Sequence, residues 1–227
     1  MLTRLTALAA LAALAALLTV SLTAYGEDEP DRQDAAEPTC AYLTTGMDPA
    51  KEGTTRPPGE PTADGDTTVV LKTDAGDLTV ELDGKGKPCT VTSFLSLAEQ
   101  GYYEGSGCHR MADAPGFAFL QCGDPTGTGT GAPGYTIPDE INGDETYPSG
   151  TIAMANSGQP DTGGGQFFMM FEDSQFPPAY TVFGQLDATS IKTLQKATAK
   201  GHDGAFEPNP GGGHPNEAVT IRDIVVS

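Results

Sequence analysis

The chain has 227 residues and a formal net charge of −19, which is enough length for one ordinary domain with appendages. From residue 67 onward it carries 20 acidic and eight basic residues. It therefore lacks the basic surface that a nucleic-acid partner requires, and no such partner is expected. The excess of acidic residues is interpreted as a solubility feature rather than as a site for a cationic partner.

Residues 5–24 form an apolar run rich in Ala, Leu, Val and Thr, and the cation Arg4 precedes it. A charged start, an apolar stretch and a small residue at the end, Ala24, are typical of a secretory signal. About 20 apolar residues can also span a bilayer, so membrane anchoring through residues 5–24 is the alternative. Either interpretation of residues 1–24 predicts an extracytoplasmic protein, secreted or held on the outer side of the cytoplasmic membrane.

Residues 25–66 differ from the rest of the chain in composition. They include eleven acidic and three basic residues, with frequent Pro, Gly and Thr and little apolar periodicity. Such a segment cannot bury enough apolar surface to offset the entropy lost when it becomes ordered. We therefore predict an acidic, disordered tether that joins the signal or anchor to a folded domain at residues 67–227.

The folded part begins with two apolar segments around a turn at residues 74–77, a pattern typical of a β-hairpin. Residues 89–100 and 190–200 have helical spacing, and each stretch is followed by Gly, which predicts two α-helices. Shorter segments with strand character lie at residues 108–111, 117–121, 150–154, 166–171, 182–185 and 219–226. Many short strands and only two helices predict a mainly β domain built as a closed antiparallel barrel.

Four cysteines in a chain predicted to be exported indicate two disulfides, for which three connectivities are possible. Cys108 and Cys122 flank a predicted hairpin and make a suitable cross-strand pair, which would leave Cys40 to join Cys89. The chain has no Cys-x-x-Cys spacing and its three histidines are scattered, so no metal site is expected.

Three short motifs follow one another between Gly101 and Phe168. They are Cys108-His109-Arg110, then Phe119-Leu120-Gln121-Cys122-Gly123-Asp124, then Met154-Ala155-Asn156 followed by Gly165-Gln166-Phe167-Phe168. In this order and spacing the motifs resemble the cyclophilin family of peptidyl-prolyl cis/trans isomerases, and the resemblance spans residues 67–227. It implies an eight-stranded antiparallel barrel with a helix capping each end, and an enzyme that accelerates rotation about X–Pro bonds.

Rotation about an X–Pro amide has a barrier of about 18–20 kcal/mol because the C–N bond has partial double-bond character. No bond is broken, so neither a cofactor nor a metal is required. A guanidinium in a dry pocket can instead donate to the prolyl nitrogen, which becomes pyramidal as the amide twists. Arg110 is the one arginine between Lys87 and Lys192, and the resemblance implies that it is catalytic. The resemblance also implies that Gln121 steadies the arginine and contacts the substrate.

Substrate-binding roles for a further set of residues are implied by the same resemblance. Phe119 lies two residues before Gln121 and therefore shares its face of the strand. Three phenylalanines, Phe119, Phe168 and Phe176, are expected to form the apolar pocket for the proline ring, and Phe117 is expected to line the site beside them. The remaining members are Gly129 and Thr130 in a glycine-rich loop, Ala155, Asn156 and Ser157 in a segment that pairs with the substrate main chain, Gln166 in the wall beside them, and Tyr180, where the family often has histidine.

The sequence thus predicts an exported peptidyl-prolyl isomerase, a monomer whose partners are proline-containing polypeptides and which assists the folding of exported proteins. The alternative is a non-catalytic module on the same fold that holds proline-containing peptides as a chaperone or scaffold. The joint presence of Arg110, Gln121, Phe119 and Phe168 favours catalysis.

Overall fold

The structure is a computed structural model that describes residues 40–226. This part of the chain is mainly β with two α-helices. In chain order the elements are β1 (Leu43–Thr44), β2 (Thr67–Thr73), β3 (Gly76–Leu82), α1 (Pro88–Glu99), β4 (Arg110–Ala114), β5 (Phe117–Cys122), β6 (Tyr135–Thr136), β7 (Thr151–Met154), β8 (Phe167–Met170), β9 (Val182–Leu186), α2 (Ala188–Thr198) and β10 (Ile221–Val226).

Eight of the strands form one curled antiparallel sheet in the order β10-β2-β3-β9-β7-β8-β5-β4. The predicted closure of the barrel is wrong, because β4 and β10 remain the two edges of this sheet. The outer edge of β4 is instead covered by Gly213, which exchanges two main-chain hydrogen bonds with Met111, of 2.8 and 2.9 Å. The segments that precede β4 and β10 are joined by main-chain hydrogen bonds, including one from Cys108 N–H to Val219 C=O at 2.8 Å.

The concave side of the sheet holds the main core, and α1 packs into it. Phe94, at the centre of α1, is fully buried, and its ring centroid lies 5.2–5.6 Å from those of Tyr103, Phe167 and Phe183. Helix α1 begins with Pro88, whose fixed φ suits the first turn. Helix α2 begins two residues earlier than predicted because the Asp187 carboxylate caps it, accepting from Ser190 N–H at 2.7 Å.

Residues 40–66 are ordered, so the prediction of a disordered tether is wrong for this part. Cys40 is bonded to Cys89 in α1, and β1 pairs with β6. Tyr42 is 3% exposed and its hydroxyl donates to Cys89 C=O at 2.7 Å, while the Lys51 ammonium donates to Gly101 C=O. A few apolar anchors and one disulfide therefore order an acidic segment whose average composition indicates disorder. We call residues 40–66 the N-terminal extension.

The remaining predictions for the N-terminal part, a signal or anchor at residues 1–24 and a tether at residues 25–39, concern residues outside the described part of the chain. No helix within residues 40–226 has the length and apolar character needed to cross a bilayer.

The favoured pairing of the cysteines is confirmed. Cys40 is bonded to Cys89, and Cys108 is bonded to Cys122. The second bond joins the residue two before β4 to the last residue of β5, so it lies at the end of the hairpin that carries Arg110 and Gln121.

Candidate active site

Strand register places the predicted catalytic residues in one row across the sheet. Arg110 of β4 is opposite Gln121 of β5, Gln121 is opposite Phe168 of β8, and Phe168 is opposite Ala153 of β7. Directly opposed residues project from the same face of a sheet. This row lies on the convex face, because the alternate residues, such as Leu120, belong to the main core.

A second apolar cluster covers this convex face. Its buried members are Ala112, Phe119, Tyr147, Ala153, Phe168 and Met170, with Phe117, Ala155, Phe176, Tyr180 and Val182 packed against them. The rings lie mostly edge to face, for example Phe119 to Phe168 at 5.8 Å and Phe168 to Tyr180 at 5.2 Å between centroids. Such arrangements add stability beyond area burial. Rigid aromatic side chains therefore form a preformed concave surface around the row.

We call the first of two neighbouring cavities the aromatic pocket. Its volume is about 280 Å³, and it is lined by Arg110, Phe117, Phe119, Gln121, Ala155, Asn156, Phe168, Phe176, Tyr180 and Pro210. Nine of these ten residues are predicted site residues. Pro210 is the exception.

We call the second cavity the glycine-loop cavity. Its volume is about 300 Å³, and it is lined by Gln121, Gly129, Thr130, Gly131, Ala132, Ala155, Asn156, Ser157, Thr162, Gly164, Gly165 and Gln166. The remaining predicted site residues, Gly129, Thr130, Ser157 and Gln166, all lie here. Both cavities are lined by Gln121, Ala155 and Asn156, so one elongated ligand could occupy them together.

The guanidinium of Arg110 lies at the edge of the aromatic pocket. Its Cζ is 5.0 Å from the ring centroid of Phe119 and 6.0 Å from that of Phe117, within cation–π range. Its Nε donates to Gly211 C=O at 3.2 Å, and its Nη2 donates to Pro210 C=O at 2.9 Å and to Gly211 C=O at 3.1 Å. Burial lowers the pKa of Arg110, but an arginine starts so far above neutrality that it stays charged.

Gln121 makes a different contact from the expected one. Its Nε2 donates to Gln166 Oε1 at 2.8 Å, and the hydrogen-bond acceptors of Arg110 are the carbonyls of Pro210 and Gly211. Gln166 Nε2 in turn donates to Gly129 C=O and Gly131 C=O, each at 3.0 Å. We call residues 129–131 the glycine loop. Gln121, which lies opposite Arg110, is therefore linked to the glycine loop through Gln166.

The buried carboxylate of Asp124 stabilises the glycine loop by hydrogen bonds. Asp124 is fully buried, and its Oδ2 accepts from Gly129 N–H at 2.7 Å and Gly131 N–H at 3.0 Å. Its Oδ1 accepts from both the N–H and the hydroxyl of Thr126 at 2.7 Å. Burial alone would raise the pKa of Asp124, but these four hydrogen bonds outweigh burial and lower it. A Cβ at Gly131 would collide with this carboxylate, which explains the glycine there.

Asn156 occupies the boundary between the two cavities. Its side chain donates to Ala179 C=O at 2.9 Å and accepts from Gly158 N–H at 3.0 Å, which fixes the local chain. Within residues 40–226 the main-chain N–H and C=O of Asn156 have no hydrogen-bond partner. An extended peptide could pair with these groups in the manner of an added strand.

The sequence did not predict three residues that act around the aromatic pocket, Pro210, Gly211 and Tyr147, nor five that line the glycine-loop cavity, Gly131, Ala132, Thr162, Gly164 and Gly165. Pro210 and Gly211 lie about 100 positions after Arg110, and no local pattern connects them to it. Tyr147 is 2% exposed, and its hydroxyl donates to Pro177 C=O at 3.1 Å and accepts from Tyr180 N–H at 3.2 Å. It thereby fixes the segment that carries Tyr180. Within residues 40–226 no group of three or more His, Cys, Asp or Glu side chains could hold a metal ion.

The fold and the site define a cyclophilin-like domain, and comparison with known proteins agrees. Residues 68–226 match the family model described as "Cyclophilin type peptidyl-prolyl cis-trans isomerase/CLD". The chain therefore belongs to the cyclophilin-type peptidyl-prolyl cis-trans isomerase family.

Curated relatives carry the corresponding names. The chain is 42% identical over 178 residues to a "Probable peptidyl-prolyl cis-trans isomerase B" of Mycobacterium tuberculosis strain H37Rv, which covers 73% of this chain and 56% of that protein. It is 40% identical over 131 residues to a "Peptidyl-prolyl cis-trans isomerase" of Synechococcus elongatus, covering 57% of this chain and 87% of that protein. The match thus spans little more than half of the length of the mycobacterial relative.

A solved structure shows the same fold. A crystal structure of a cyclophilin-type peptidyl-prolyl cis-trans isomerase from Cryptosporidium parvum superposes with a TM-score of 0.59 at 31% identity. The match covers 71% of this chain and 98% of the other. A second structure of that protein was determined in the presence of the dipeptide Ala-Pro and matches at 33% identity.

Proposed function

We propose that this chain catalyses cis/trans isomerisation of X–Pro bonds, with Arg110 as the catalytic residue. The observation that carries the proposal is the position of its guanidinium, beside Gln121 and over the ring of Phe119 at the edge of an apolar pocket. A fixed cation in an apolar site can donate to the prolyl nitrogen most strongly when the amide is twisted. The ground-state planar amide offers no such lone pair, so the interaction favours the transition state.

The proline ring would enter the aromatic pocket between Phe119, Phe168 and Phe176. Shape and apolar burial hold the ring there, so that the rest of the peptide can rotate about the C–N bond. The residue before proline would pair with the free main-chain groups of Asn156, and the preceding residues would lie over the glycine loop. The two cavities meet at Gln121, Ala155 and Asn156, which supports this division.

A protease-coupled isomerisation assay on the full chain tests the proposal. The slow phase of an X–Pro peptide should accelerate in proportion to protein concentration. Peptide binding without acceleration would reject catalysis and leave the non-catalytic chaperone or scaffold. Neither binding nor acceleration would reject both.

We further propose an extracytoplasmic location, secreted or anchored through residues 5–24, with exported proline-containing polypeptides as substrates and a monomeric state. The two disulfides support this location because such bonds persist in oxidising compartments. Thiol titration under denaturing, non-reducing conditions should find no free cysteine in protein collected outside the cytoplasm. Four titratable thiols would contradict the two disulfides and remove their support for this location. Light scattering of the purified chain measures its oligomeric state.

A further inference from the structure

The segment between α2 and β10 contacts the catalytic arginine directly. We call residues 203–214 the return loop. It supplies both carbonyls that accept from Arg110, those of Pro210 and Gly211. Within the described residues no carboxylate forms an ion pair with Arg110. The guanidinium is therefore oriented by neutral groups.

This choice of partner has a chemical consequence. A carboxylate would orient the guanidinium but would also neutralise it, which would weaken its donation to a ligand. Carbonyl oxygens orient the guanidinium and leave its charge intact. Within residues 40–226 the Nη1 group of Arg110 has no hydrogen-bond partner. One side of the guanidinium is thus held by the return loop, and Nη1 is available to a ligand in the aromatic pocket.

Internal hydrogen bonds fix the shape of the return loop. The Glu207 carboxylate accepts from Gly212 N–H at 2.7 Å, and Phe206 exchanges main-chain hydrogen bonds with Gly211 and Gly212 at 2.9 and 3.0 Å. At its far end Gly213 pairs with Met111, one residue after Arg110. A Cβ at Gly212 would collide with Met111 C=O, so glycine permits this close approach.

The base of the return loop is closed by a second carboxylate. Asp203 Oδ1 accepts from Ala205 N–H at 3.0 Å and His214 N–H at 2.8 Å, and its Oδ2 contacts His214 Nδ1 at 2.9 Å. The rings of His214 and Phe206 are 4.7 Å apart. The two ends of the loop are therefore joined, and Glu207 stabilises the part that carries the two carbonyls.

We propose that the return loop is the positioning element for Arg110, and that Glu207 is the positioning residue that sets the Pro210 and Gly211 carbonyls. The proposal rests on the proposed function, since it assigns the orientation of the catalytic group to this loop. It replaces the expectation that Gln121 steadies the arginine.

Kinetics of Glu207 variants of the full chain test this role. Glu207→Ala removes the acceptor for Gly212 N–H, so kcat/KM should fall roughly tenfold, mainly through kcat, because small misplacements of a catalytic group are costly. Glu207→Gln keeps an acceptor oxygen and should stay within about twofold of the wild type. Glu217→Ala is a matched control, because this acidic residue pairs with Lys200 and touches neither the return loop carbonyls nor Arg110.

A double-mutant cycle separates positioning from general damage to the fold. In an Arg110→Ala background the Glu207→Ala change should alter the rate less than about twofold, because the group it positions is gone. An unchanged rate for Glu207→Ala in the wild-type background would overturn the proposal. So would an equal loss of rate in both backgrounds.

A second measurement does not depend on activity. The Nε–H resonance of Arg110, assigned by its loss in Arg110→Lys, should exchange slowly with water in the wild type, Glu207→Gln and Glu217→Ala, and rapidly in Glu207→Ala. If the wild type proves inactive while this pattern holds, the proposed function fails and the positioning role stands. A rapidly exchanging Nε–H in the wild type would overturn the positioning role whatever the activity.

Discussion

The aromatic pocket and the glycine-loop cavity are neighbours of similar volume that are held in shape by different forces. The aromatic pocket is lined by rings on adjacent strands, and side-chain packing fixes it. The glycine-loop cavity is lined largely by main chain, and two polar side chains, Asp124 and Gln166, fix it by hydrogen bonds. A packed apolar wall suits shape recognition and transition-state chemistry, whereas a hydrogen-bonded loop suits recognition of neighbouring residues in a peptide.

This difference predicts that changes on the two sides affect different kinetic constants. Damage to the arginine side should lower kcat. Damage to the glycine loop should raise KM, because that side binds the substrate equally in its ground and transition states.

Arg110→Ala should produce the largest effect. Removing one preorganised donor costs about 2.7–4 kcal/mol of transition-state stabilisation, which is roughly a 100- to 1000-fold loss of kcat/KM. Arg222→Ala is the control, because this exposed arginine of β10 pairs with Asp74 at 3.4 Å on another part of the sheet. The protease-coupled assay measures both variants, and an equal loss in the two would remove Arg110 from its assigned role.

The paired change Cys40→Ser with Cys89→Ser should lower stability while sparing catalysis. This bond closes a loop of 49 residues in sequence separation, so its loss should reduce the free energy of unfolding by about 2–4 kcal/mol. Denaturant unfolding measures this loss. The activity should stay within about twofold of wild type, since the N-terminal extension contributes no side chain to the aromatic pocket.

Cys108→Ser with Cys122→Ser is the matched comparison. The Cys108–Cys122 bond joins residues 14 positions apart, next to Arg110 and Gln121. Its loss should lower both stability and kcat. A larger effect on kcat from loss of the Cys40–Cys89 bond than from loss of the Cys108–Cys122 bond would contradict this prediction. The N-terminal extension would then influence catalysis at Arg110.

Asp124→Ala should act on the glycine-loop cavity. It removes the acceptors for Gly129 and Gly131 N–H, so KM should rise about five- to tenfold with kcat changed less than about twofold. Asp83→Ala is the control, because Asp83 holds Gly86 N–H at 2.7 Å in a turn outside both cavities. A fall in kcat without a change in KM would show that the glycine-loop cavity does not have a binding role separate from catalysis at Arg110.

The pH dependence of peptide affinity should be the smallest effect. The folded-state pKa of Asp124 lies below its ordinary value of 3.8, so the charged form is favoured by folding. The stabilisation is fully present above 3.8 and is lost as the pH falls through the lower folded-state pKa. The KM of the wild type should therefore be constant from pH 5 upward in this respect and rise only in strong acid. Asp124→Asn should lack the rise, and a wild-type transition near neutral pH would contradict the assignment.

The sequence predicted the strands and the members of both cavities better than it predicted how they are held. Alternation placed Phe119 and Gln121 on one face, and the strand register agrees. Barrel closure was wrong because Gly213 covers the edge of β4, and this contact joins residues about 100 positions apart. The extension was missed because its order depends on a few anchors, such as Tyr42, within an acidic segment. Pro210 and Gly211 were missed because they also lie about 100 positions from Arg110, and only the folded chain brings them to it.

The division of roles, in which Arg110 acts on the amide while the rest of the site binds the peptide, can be measured directly. Exchange NMR on one X–Pro peptide gives the bound-state cis/trans exchange rate and the dissociation constant in a single titration. Arg110→Ala should reduce the exchange rate roughly 100-fold or more and change the dissociation constant less than about threefold. Exchange that persists at the wild-type rate in this variant would contradict a catalytic role for Arg110. So would a loss of exchange that a higher dissociation constant explains entirely.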